Sequence, residues 1–146
     1  MPTYSFLDVS ANITGVSGSI DLGNGAATSD EGIVVAMGGD KNTMVTGADG
    51  EGMHSLHADK SGTITVNLLK TSPTNAKLSV MYNAQSLSSA TWGNNVIVIR
   101  NKSSNDVTTA RGVAFKKLPD WQNAKDGNTV AWVFDCIKID QLLGTF

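Results

Sequence analysis

The sequence predicts a mainly β protein, a β-sandwich or small barrel with one flanking α-helix, because two blocks of strand-like pattern enclose a single stretch of helical period. From Gly62 to Lys70, Ile64, Val66 and Leu68 alternate with Thr63, Thr65 and Asn67, the period of a strand with one apolar and one neutral polar face. After Pro73 the apolar residues fall instead at helical spacing, and from Val96 onward β-branched runs return.

The first element expected is a weak strand over Ile13 to Ile20, where Ile13, Val16 and Ile20 stand among Gly and Ser, placed at a sheet edge and followed by a Gly23-Asn24-Gly25 turn. Ile33 to Met37 is a short apolar run broken by Gly38-Gly39-Asp40 and resumed at Thr43 to Thr46, which reads as one bulged strand or two strands in tandem. Gly47-Ala48-Asp49-Gly50-Glu51-Gly52 holds three glycines in six residues, so a mobile projecting loop is expected there rather than regular structure.

A single amphipathic helix is expected from about Ser72 to Leu87. Ser72 is placed to cap it and Pro73 suits its first turn, while Leu78, Met81, Tyr82 and Gln85 share the face that packs on the sheet. Three more strands follow, at Val96 to Ile99, Val107 to Phe115 and Thr129 to Asp140, separated by turns rich in Asn, Asp, Ser and Gly. Trp132 and Phe134 fall on one strand face and are expected in the core, whereas Trp92 and Trp121 suit either core or interface.

With 146 residues and no internal repeat, the chain is expected to form one domain over 1–146. Charged residues are only 16% of it, against roughly 25% in an average soluble domain, so copies repel one another weakly and association is favoured wherever matching patches exist. A net charge of −2 supplies no basic patch for tight binding of nucleic acid. Cys136 is the single cysteine, which excludes an intrachain disulfide and suits a reducing compartment. Neither a signal peptide nor a membrane span is expected from the apolar runs present.

Catalytic patterns are incomplete. Gly15-Val16-Ser17-Gly18-Ser19 places Ser19 where a nucleophile elbow needs its second glycine. Gly38-Gly39-Asp40-Lys41-Asn42 lacks the ending that cradles phosphates and reads as a turn. His54 and His57 have acidic neighbours, but their spacing on a strand turns the imidazoles to opposite faces, so no metal site, cofactor or enzymatic activity is expected.

Several segments carry a resemblance: Tyr4-Ser5-Phe6-Leu7-Asp8-Val9, Gly47-Ala48-Asp49-Gly50, Met53-His54-Ser55-Leu56, Ser61-Gly62-Thr63 and Leu68-Leu69-Lys70-Thr71-Ser72-Pro73, continuing through Met81-Tyr82, Trp92-Gly93-Asn94, Ala114-Phe115 and Ile139-Asp140. Together they resemble the tail tube proteins of contractile-tailed bacteriophages. The resemblance implies a structural subunit of the virion tail, assembled in the bacterial cytoplasm as hexameric rings that stack into a conduit. DNA would pass the lumen without specific binding, and tail sheath, baseplate and tail terminator proteins would be partners. Gly47, Ala48, Asp49, Gly50, Glu51 and Gly52, with the Asp49 and Glu51 carboxylates at the loop tip, are then the expected inter-ring contact; the alternative is a hairpin turn that only closes two strands. A tube subunit of a bacteriocin or secretion system shares this architecture, and a monomeric β-sandwich binding module remains a distinct alternative.

Overall fold

A computed structural model describes residues 2–16, 18–23, 25 and 28–145. A 3-10 turn (Phe6–Asp8) leads into β1 (Val9–Gly15), β2 (Gly18–Asp21), β3 (Thr28–Met37), β4 (Asn42–Thr46), β5 (Gly52–Leu56) and β6 (Gly62–Leu69). One helix, α1 (Thr74–Gln85), precedes β7 (Asn95–Asn101), β8 (Asp106–Phe115) and β9 (Thr129–Leu142).

Seven strands form one antiparallel sheet in the order β2-β1-β7-β8-β9-β6-β3, while β4 and β5 pair only with each other. The three strands that follow the helix therefore occupy the centre, with β1 joining β7 on one side and β6 joining β9 on the other. In β6 the period-two pattern becomes alternate burial: Ile64, Val66 and Leu68 face the core, and Val66 stands level with Ile33 and Trp132.

The sheet rolls rather than lying flat. Ile33 and Val35 of β3 share a groove with Ile99 of β7, although β6, β9 and β8 lie between them in the sheet. The concave face holds the core, centred on Phe115, whose ring lies 4.9 Å from Phe134, 5.5 Å from Tyr82 and 5.9 Å from Trp132. Tyr82 and Trp132 meet it near edge-on, the orientation in which a positive ring edge faces a negative ring face.

Helix α1 buries Thr74, Leu78, Met81 and Gln85, a stripe at helical spacing. Tyr82, half-buried beside them, reaches Phe115 and Trp92. The helix is two residues shorter at each end than expected: Pro73, not Ser72, is its N-cap and makes no side-chain cap bond, while Ser72 Oγ, one residue earlier, accepts the Thr74 N–H at 3.2 Å. At the other end Gln85 and Asn95 exchange two amide hydrogen bonds, 2.7 and 2.8 Å long, and both side chains are fully enclosed. A Cβ on Gly15 would stand 2.0 Å from Asn95 Oδ1, so only glycine lets the β1–β2 turn pass this pair.

Two expectations change, and a third is decided between its alternatives. The weak first strand is two strands: β1 starts earlier, at Val9, and β2 is the edge, because Gly15 and Gly18 close a tight hairpin. Ser17 and Asn24 lie outside the described residues. The interrupted run from Ile33 to Thr46 resolves as strands in tandem, β3 in the main sheet and β4 in the small one. The segment from Gly47 is a hydrogen-bonded turn instead of an irregular loop, with Gly52 already in β5.

Leu78→Asp is expected to abolish soluble folding, since a carboxylate forced into the apolar core costs several kcal/mol, a large share of the roughly 5–15 kcal/mol that holds a domain. Val80→Asp, on the exposed side of the same helix, should remain soluble with native circular dichroism. A soluble, native-like Leu78→Asp protein would contradict the helix placement.

Candidate assembly surfaces

The β4–β5 hairpin stands apart from the core, and none of its residues is buried. Its register sets Val45 against Met53 on one face, and Met44 and Leu56 on the other, so both faces expose apolar side chains. Leu56 is 81% exposed. At the tip, Gly47 N–H donates to the Glu51 carbonyl at 2.6 Å and Asp49 Oδ1 accepts the Glu51 N–H at 3.1 Å. Gly50 takes a φ of +87°, which a side chain would strain.

The base of the hairpin is tied to β9. The Ile139 N–H donates to the Lys60 carbonyl at 2.9 Å, and Lys60 Nζ donates to Asp140 Oδ1 at 3.1 Å, with Arg111 at 3.9 Å. That lysine bond holds the Asp140 carboxyl below its ordinary range. Asp59 is lowered as well, first by the Ser61 backbone N–H at 2.9 Å and then by the Ser61 hydroxyl.

The two histidines serve the hairpin itself. His54 Nδ1 meets the Asn42 amide at 3.1 Å, and His57 Nε2 meets the Thr43 hydroxyl at 2.7 Å, on opposite faces. Among the described residues no three His, Cys, Asp or Glu side chains stand together as a metal site, and no helix is long and apolar enough to cross a membrane. Gly38-Gly39-Asp40 is the turn between β3 and β4, with the Gly38 N–H bonded to the Ser61 carbonyl at 2.9 Å.

Two further surfaces flank the sheet. Strands β2 and β3 are its edges, and among the described residues each has one side with no strand partner. Between Phe115 and Thr129 a long connection without regular structure crosses the start of β9 and carries Trp121, 88% exposed. It roofs a groove of about 660 Å³ lined by Leu118, Trp121, Trp132, Lys70 and Lys117. Lys70 Nζ ties the roof down through the Gln122 carbonyl and Asn123 Oδ1. The groove floor is fixed by Trp132, whose indole N–H donates to Asn75 Oδ1 at 2.9 Å.

Of the residues singled out in the sequence, Gly47 to Gly52 form the exposed hairpin tip, and Leu78, Met81 and Tyr82 lie on the inner side of α1. These two sets are not brought together. The groove under Trp121 was not singled out; its one signal was a tryptophan in a polar, turn-rich stretch, where an apolar ring has no strand or helix face to join.

The sequence matches the family model described as the bacteriophage PhiTE tail tube protein over residues 1–144. No curated protein matches it. Among solved structures, the chain resembles one from the sheath-tube complex of the extracellular contractile injection system PVC in its extended state, with TM-score 0.59 and 10% identity over 97% of this chain and 92% of that one. A chain of the PVC sheath/tube terminator in the extended state gives TM-score 0.59 and 12% identity over 97% and 98%. A chain of the anti-feeding prophage tube-terminating cap gives 0.58 and 10% over 99% and 93%. At such identities the likeness is one of fold.

Cys136 reports on whether this fold is populated. Burial, and then the neighbouring Asp135 charge, push its thiol up to about 11, so at pH 8 only about one molecule in a thousand carries the reactive thiolate. Native protein is expected to resist a disulfide-exchange reagent at pH 8 and to react fully once guanidinium unfolds it. Complete reaction of the native protein within minutes would contradict the burial.

Proposed function

Because the chain belongs to the bacteriophage tail tube protein family, we propose that it builds the tube as hexameric rings, which stack into a hollow conduit for genome delivery. The observation that carries this reading is the family match over residues 1–144. The surfaces support it physically. Pairing of free strand edges around a ring satisfies backbone groups that an isolated subunit leaves to water, and it removes the hazard of uncontrolled edge pairing.

The whole chain, 1–146, acts as one structural domain, and catalysis has no part in its role. A conduit must conduct a polyanion without gripping it. A net charge of −2 and sheet faces of neutral hydroxyls and amides, such as Thr63, Thr65 and Asn67, suit that task. Sheath, baseplate and terminator proteins meet the tube at its wall and ends, and the tail is assembled in the bacterial cytoplasm. The fold is shared with chains of extracellular injection systems. The family model, named for a bacteriophage protein, favours a genome as the delivered cargo.

Within this reading the hairpin tip, Gly47 to Gly52, reaches from one ring to the next. Its Asp49 and Glu51 carboxylates meet basic or backbone donors there, each solvated contact contributing about 1 kcal/mol or less.

The purified chain is expected to form rings or tubes visible by negative-stain electron microscopy. Light scattering that gave only a 15.3 kDa species across a wide concentration range would count against assembly.

A further inference from the structure

We propose that the β4–β5 hairpin of one copy docks into the groove beneath the β8–β9 connection of the next copy, making each subunit a plug at one end and a socket at the other. This rests on the inter-ring reading of the hairpin and adds the surface that receives it.

The hairpin calls for a cover. A two-stranded sheet is marginal in water by itself, and this one exposes Met44 and Leu56 on one face and Val45 and Met53 on the other. A slot with walls on two sides suits it better than a flat patch. The groove is such a slot: β9 and Trp132 form its floor, Leu118 and Trp121 of the connection line one side, and Asn75 and Ser79 of α1 line it as well.

Charge selects the same pairing. Between Asn42 and His57 the only formal charges are Asp49 and Glu51, both acidic and both at the tip. The groove carries two lysines, Lys70 and Lys117, against one acid, Asp120. Lys70 is held by neutral oxygens of Gln122 and Asn123, which leave its charge uncompensated.

The placement is head to tail. The hairpin leaves and rejoins the sheet at Met37 and Gly62, the start of β6, whereas the groove lies where Leu69 and Lys70 meet Asn128 and Thr129, at the far end of β6 and β9. Eight residues of strand separate the two ends by roughly 25 Å. Complementary surfaces at opposite ends of a rigid strand pair make a head-to-tail contact, which repeats from copy to copy instead of closing a two-fold dimer.

Two sets of variants test the proposal. Trp121→Ser combined with Lys117→Glu, both on the exposed connection, should give folded rings without long tubes, and Glu51→Lys should restore part of the tube length lost through Lys117→Glu alone. Ala48→Cys paired with Gln122→Cys should, on oxidation, give a reducible ladder well beyond dimer on denaturing gels, while either single cysteine stops at dimer. Long tubes from the Trp121/Lys117 variant, or tubes of the cysteine pair that yield no ladder, would overturn the socket. Deletion of residues 48–51 separates the two readings: rings alone, beside a failed socket test, keep the hairpin in stacking and reject only the groove, whereas normal tubes remove both.

Discussion

One apolar sheet face with a single short helix to cover it sets the geometry of this subunit. Seven strands spaced about 4.8 Å apart would make a flat sheet roughly 29 Å across. A helix of 12 residues is about 18 Å long and about 10 Å wide, so it cannot cover that face. The remaining apolar area is covered by the sheet itself, which curls until β3 approaches β7 across the groove shared by Ile33, Val35 and Ile99. The roll does not close, because β2 and β3 do not pair, and two open edges are the consequence.

Within the curl, Phe115 and the Gln85–Asn95 pair divide the work. The aromatic contacts around Phe115 contribute area and packing but tolerate small shifts of the helix. The amide pair does not, since a buried amide that loses its partner costs the full desolvation of its polar atoms, about 1–3 kcal/mol. Gln85 lies at the end of α1, Asn95 at the start of β7, and Gly15 at the end of β1, just before the turn to β2. One polar contact thus fixes the position of the helix, a central strand and an edge hairpin together. The edge strand is thereby held in place by the core behind it.

The elements most legible in the sequence were those whose burial is decided by near neighbours. β6 announced itself because Ile64, Val66 and Leu68 all point into the core while threonines point out. The helix and the three strands after it were legible for the same reason. β1 was harder, since Ala11 and Ile13 are its only buried residues and Ser10, Asn12 and Thr14 give it a polar outer face. The pairing of β1 with β7, more than eighty residues away, leaves no local trace. The hairpin was obscured by its glycines: Gly47, Gly50 and Gly52 signal irregularity, yet here they permit a tight turn. Trp121 was ambiguous because an exposed aromatic and a core aromatic look alike until the fold places them.

Folding and the proposed assembly therefore draw on largely different surfaces of the chain. The core draws on the buried faces of β1, β2 and β6 to β9 with α1, and Ile33 and Val35 of β3 pack against it, whereas the hairpin, the outer backbone edges of β2 and β3 and the β8–β9 connection carry apolar or unpaired groups that the core does not use. In an isolated subunit such groups are a liability, and with only 16% charged residues little repulsion keeps copies apart. In the proposed stack of rings the same groups would become contacts. A single solvated ion pair contributes only about 0.2–1 kcal/mol and breaks easily, which lets a misplaced ring dissociate. Repeated around the proposed six-membered ring, the same pair amounts to about 1–6 kcal/mol, enough to hold a correctly seated ring once apolar burial in the groove is added. Weak unit contacts and high multiplicity are what allow a long tube to be both correctable during growth and durable afterwards.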